Sequence, residues 1–111
     1  MSDIGLFEER QIKARQVVTR RGDPGKRVFL IVEGSIQVSG HGEAEMYGPG
    51  RIFGRLDLVT GGEDAGGYRQ TTTAITEATI RFADASQLRA QIEKASPTLR
   101  ALVDHALNVL D

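Results

Sequence analysis

The alternation of apolar and polar positions predicts a run of short strands, then a switch to helical spacing near residue 84. Over residues 9–20, Ile12, Ala14, Val17 and Val18 stand among charges at intervals that suit short strands. Gly22-Asp23-Pro24-Gly25 reads as a turn, since proline presets φ and glycine accepts positive values. Residues 27–32 form a continuous β-branched and aromatic run, the pattern of a strand buried on both faces. After Glu33-Gly34 the alternation over residues 35–39 is strict, with Ile36 and Val38 on one side. Gly40-His41-Gly42 is a hairpin turn into a strand over residues 43–47, which Gly48-Pro49-Gly50 ends.

Ile52-Phe53-Gly54 is a short apolar piece, and Leu56, Leu58 and Val59 make one helical turn. Residues 61–67 place glycines on both sides of Glu63 and Asp64, have almost nothing to bury, and are expected to be a mobile loop. Threonine and isoleucine over residues 70–82 predict strands at 71–76 and 79–82. Asp84 is then an N-cap with Gln87 in capping-box position, and Ala85, Leu88, Ile92 and Ala95 follow on one helical face. Ser96-Pro97 starts a last helix faced by Leu99, Leu102, Val103, Ala106 and Leu110. The fold expected is α+β: a β-roll or jelly-roll-like barrel of short antiparallel strands over residues 8–83, closed by two C-terminal helices over 84–110. Residues 1–111 make one domain, as the chain length allows.

Composition narrows the function classes. The 14 basic and 15 acidic residues nearly cancel, so the basic excess of a nucleic-acid binder is missing. Arg20, Arg21, Lys26 and Arg27 form the one basic cluster, and flanking a tight turn they read as a solvated face. With no cysteine there is neither a disulfide nor a thiolate metal site. No apolar run approaches the ~20 residues of a membrane span, and no signal-peptide pattern opens the chain, so a cytoplasmic domain is expected, free or cut from a longer protein. A metal-binding barrel enzyme would need converging histidines, whereas His41 falls in a hairpin turn and His105 on the last helix. No serine sits in a nucleophile elbow. An enzyme is not expected.

The order of turns and strands resembles one family. Arg21-Gly22-Asp23-Pro24-Gly25 followed by Val28-Phe29-Leu30-Ile31-Val32-Glu33-Gly34 is similar to the second and third strands of cyclic nucleotide-binding domains. Tyr47-Gly48-Pro49-Gly50-Arg51-Ile52-Phe53-Gly54 resembles the approach to that family's phosphate-binding cassette, and Ala74-Ile75-Thr76-Glu77-Ala78 the strand after it. The resemblance covers residues 9–110. It implies a double-stranded β-helix, with cyclic AMP or cyclic GMP as ligand near Gly54-Arg55-Leu56. There, backbone N–H groups at the start of a short helix would hold the phosphate. It further implies Phe53, Gly54, Arg55, Leu56, Arg69, Gln70 and Thr71 as site residues, and a signal passed through the last helix to a partner or fused effector module.

Two departures stand out. The family follows Phe-Gly with a glutamate that accepts a hydrogen bond from the ribose; here Arg55 offers only donors. The family's phosphate-pairing arginine has Arg69 as its candidate, yet counting back from Ala74 sets Tyr68 at that place, and one residue of register moves a strand side chain to the other face. Arg55 is thus either an anion contact or a surface arginine beside a short helix, and Arg69 either a phosphate partner or an edge-strand charge. Glu63 or Asp64 is a further candidate ribose acceptor. The alternative function is a degenerate member of the fold that binds no nucleotide and serves as an interaction or oligomerisation module. The last helix has an apolar face that a second copy, as a homodimer, or the domain's own core could cover. The chain ends at Asp111 with no helix-turn-helix after that helix, so DNA binding is not expected.

Overall fold

The computed structural model describes residues 7–40, 42–60 and 66–94, together with residues 97, 98, 101 and 105. In chain order its elements are β1 (Glu8–Ile12), β2 (Val17–Thr19), β3 (Arg27–Glu33), β4 (Ile36–Ser39), β5 (Glu45–Tyr47), β6 (Ile52–Gly54), α1 (Leu56–Val59), β7 (Thr71–Ala74), β8 (Ala78–Asp84) and α2 (Ala85–Lys94). The strands form two four-stranded antiparallel sheets, ordered β1-β8-β3-β6 and β2-β7-β4-β5. The chain crosses from one sheet to the other at nearly every turn, and β4–β5 is the one pair of sequence neighbours that hydrogen-bond to each other. This is the expected β-roll closed by helix.

The core lies between the sheets. Register explains its aromatic layer: Phe29 on β3 faces Phe53 on β6 and Phe82 on β8, so three rings cross the first sheet in one row. Phe29 stacks on Phe53 with centroids 4.9 Å apart, and meets Phe82 at 6.0 Å and Tyr68 at 6.4 Å. Ile36 and Val38 enter from the second sheet, as their alternation predicted, with Ile12, Ile31, Ala74, Ala78 and Ile80 around them. β3 is fully buried on one face only, where Phe29 and Ile31 enter this core; on the other, Val28 is buried while Leu30 and Val32 are half-buried. Val28 joins Leu56, Val59 and Ala85 in a second cluster, which Ile52, Leu58, Leu88 and Ile92 cover. That second cluster is the floor on which α1 and α2 meet.

Polar groups inside the roll are satisfied by one another. The Thr19 and Thr72 hydroxyls lie 2.8 Å apart, the Thr19 amide donates to Thr72 Oγ1 at 3.1 Å, and Thr19 Oγ1 donates to the Gln70 carbonyl at 3.0 Å. The Asp84 cap is formed, its Oδ1 accepting from the Ser86 and Gln87 amides at 2.8 and 3.2 Å.

Several boundaries shift from the sequence reading. The strand expected over 71–76 stops at Ala74, because the Ile75 amide donates to the Ser35 carbonyl and the chain bends. The strand expected over 79–82 runs from Ala78 to Asp84, extended by pairing with both β1 and β3. The loop residues 61–65, Glu63 and Asp64 among them, and His41 lie outside the described residues. So do Leu99, Leu102, Val103, Ala106 and Leu110, on which the reading of the last helix rests; Pro97, Thr98, Ala101 and His105 are helical and exposed. Among the described residues, no helix is long and apolar enough to cross a membrane.

Candidate functional site

Residues 22–27 lead the chain from the Arg20–Asp23 turn into β3, and three separate segments converge on them. The Gly22 amide donates to the Tyr68 carbonyl at 2.7 Å, and the Tyr68 amide returns a bond to the Asp23 carbonyl at 3.0 Å. The Arg55 amide donates to the Arg27 carbonyl at 3.0 Å, and the Ala85 amide donates to the Lys26 carbonyl. One segment therefore holds the residue after β6, the residue that leads into β7, and the first residue of α2.

Phe53, Gly54, Arg55 and Leu56 sit at the β6–α1 junction. Phe53 belongs to the aromatic layer and Leu56 to the cluster beneath α2, so both are core residues. Gly54 has φ +108°, and a Cβ on it would lie 2.5 Å from the Arg27 carbonyl oxygen. Only glycine tolerates both conditions.

Arg55 corrects one expectation. It is not a surface arginine: its side chain is 1% exposed. Its Nε and Nη2 each donate at 3.1 Å to the two carboxylate oxygens of Asp57, which is 13% exposed, and Nη1 donates to the Gly25 carbonyl at 2.9 Å. An arginine so far from water needs a charge partner and hydrogen bonds for its donors, and Asp57 and Gly25 are among the groups that supply them. The sequence reading missed Asp57. Its signal was an acid two residues after the arginine, at the polar position between Leu56 and Leu58.

The residues ahead of β7 differ in burial. Tyr68 is buried, Arg69 exposed, and Gln70 and Thr71 intermediate. The Tyr68 hydroxyl accepts from the Arg27 amide at 3.2 Å, and its ring lies so close to Gly25 that a Cβ there would come within 2.2 Å of it. Tyr68 and Arg55 thus meet the same glycine. Thr71 Oγ1 accepts from the Arg21 amide at 3.0 Å. The edge-strand reading of Arg69 is also corrected, since β7 lies between β2 and β4. The basic cluster is exposed as expected, and Arg27 lies over the Phe82 ring at 4.5 Å.

From the site, contacts lead to α2. Leu56 and Val59 of α1 share the second cluster with Ala85, Leu88 and Ile92, and Arg89 Nη1 donates to the Val59 carbonyl at the C-terminal end of α1. Arg89 was not foreseen from sequence. It pairs with Glu93 one helical turn on, at 3.3 Å.

Comparison with known proteins agrees with this architecture. The chain is 34% identical over 85 residues to the cyclic nucleotide-gated potassium channel mll3241 of Mesorhizobium japonicum, a match covering 77% of this chain and 23% of the channel. The chain spans 23% and 24% of the length of the curated relatives it matches. The catabolite activator protein of Thermus thermophilus aligns with a TM-score of 0.72 at 20% identity, over 96% of this chain and 50% of that one. A structure from a cyclic-GMP-dependent signalling pathway that regulates bacterial phytopathogenesis aligns with a TM-score of 0.74 at 22% identity, over 95% and 85%. At such identities the likeness speaks for the fold alone. A family model, the cyclic nucleotide-binding domain, matches residues 9–95, and with the two sheets, the cassette turn and the capped helix in agreement, the chain belongs to the cyclic nucleotide-binding domain family.

Proposed function

We propose that this domain is a regulatory module in which the state of the Gly54–Leu56 turn is passed to α2 and from there to a fused or partner effector. The observation that carries this is the 22–27 segment. It is bonded to Arg55 and to Ala85, so a shift of the cassette moves the root of α2. The second cluster adds an apolar contact along the same route. A four-residue helix has little stability of its own, which makes α1 the element most able to move.

The ligand class the family supports is a cyclic nucleotide, taken by Phe53, Gly54, Arg55, Leu56, Arg69, Gln70 and Thr71 around the turn. The whole chain would act as one unit on the cytoplasmic side of the cell, with the roll as receptor and the helices after Asp84 as transmitter. A relative named as a cyclic nucleotide-gated channel favours a fused effector. Thermal unfolding with cyclic AMP and with cyclic GMP tests the binding. Ligand at 100 times its Kd adds ~2.7 kcal/mol, and α2 amides should change their hydrogen-exchange rates at saturation. A stabilised roll with unaltered α2 would refute the relay.

Specific contacts favour a second reading, a domain that binds no nucleotide. Arg55 stands in place of an acceptor and is occupied by Asp57, Tyr68 fills the place of the pairing arginine, and Arg69 points to solvent. No thermal shift with either nucleotide at millimolar concentration would decide for it.

A further inference from the structure

The geometry points to Asp57 as a built-in occupant of an anion receptor formed by Arg55. The guanidinium holds both carboxylate oxygens of Asp57 at 3.1 Å, the two-pronged arrangement that arginine offers equally to carboxylates and phosphates. Its Nη1 is fastened to the Gly25 carbonyl, which anchors the receptor on residues 22–27 whichever anion fills the fork. The two partners differ in depth. Arg55 is 1% exposed and Asp57 13%, so the receptor is the inner member and the anion the outer one. An outer carboxylate is the member of the pair that can rotate away and leave its place to an anionic ligand.

Competition follows from the tether. Asp57 is two residues from Arg55 and acts at a high effective concentration, so a free anion must displace an occupant that costs little to bind. A ligand that wins must carry an oxyanion for the fork and make further contacts of its own. The inference rests on the turn after β6 being the ligand site, and adds to that reading a resident competitor and a ligand class, a phosphate-bearing molecule. Displacement also has a consequence for output. Asp57 lies in the first turn of α1, between Leu56 and Leu58, both of which belong to the cluster beneath α2. Releasing its carboxylate loosens the helix that carries those residues.

The test titrates the full chain with cyclic AMP by calorimetry, as wild type, Asp57→Ala, Asp57→Asn and the double variant Arg55→Ala/Asp57→Ala, with circular dichroism as the fold control. Removing the competitor should tighten binding by roughly tenfold or more in Asp57→Ala, and in the same direction in Asp57→Asn. The double variant should lose that gain. Folded Asp57 variants that bind no tighter than wild type would overturn the inference. A measurement on the unaltered chain needs no variant to fold: the Arg55 Nε resonance should move when cyclic AMP saturates the protein, and an unmoved resonance would equally overturn it. Hydrogen exchange of α2 in the same samples separates the two ideas. An α2 that responds to cyclic AMP while the Asp57 variants gain nothing removes Asp57's role and leaves the relay standing. Tighter binding with a silent α2 does the reverse.

Discussion

The two ends of the cassette each carry an arginine, and the fold treats them oppositely. At the β6–α1 end Arg55 is turned inward, where it donates to Asp57 and Gly25. At the β7 end Arg69 is turned outward, and Tyr68 goes inside instead. Residue type does not explain the difference. Backbone path does: Gly54 at positive φ directs the next side chain under the 22–27 segment. Ahead of β7 the chain bends at residues 69 and 70, burying Tyr68 and exposing Arg69. A charge is buried where the chain can bring its partners with it, and left in water where it cannot.

Four substitutions break this comparison in graded steps, each measured by urea unfolding of the full chain. Phe29 touches Phe53 at one end and Tyr68 at the other, so Phe29→Ala should undermine both and cost ~3–5 kcal/mol. Arg55→Ala strikes the inward end alone, leaving Asp57 half of a broken pair, and should cost ~3 kcal/mol. Tyr68→Phe keeps the ring but removes the acceptor of the Arg27 amide, a loss of ~1 kcal/mol. Arg69→Ala should stay within ~0.5 kcal/mol of wild type. A cost at Arg69 equal to that at Arg55 would mean that the two ends do not differ as described.

What the sequence revealed was local. The turn at Gly48–Gly50, the alternation of Ile36 and Val38, and the Asp84 cap each depend on neighbours within a few residues, and each is where it was expected, while the turn read at Gly22–Gly25 is made two residues earlier, by Arg20–Asp23. That Tyr68 rather than Arg69 falls at the family arginine's place was also legible, because it needs only a count back from Ala74. Arg55 was not. Its burial depends on Gly25, 30 residues earlier, and on a segment that folds over it. The length of β8 was hidden for the same reason, since its ends are set by pairing with β1 and β3. The Arg89 bond to Val59 likewise exists only once α1 and α2 lie on a shared cluster.

The central claim is that the 22–27 segment couples the cassette to α2, and hydrogen exchange on Arg55→Ala tests it most directly. Removing the side chain that grips Gly25 should raise exchange across Ala85–Lys94 by roughly tenfold or more, while β4 and β5, in the other sheet, keep their protection. Protection in α2 equal to that of the wild-type chain, with the roll still folded, would contradict the coupling.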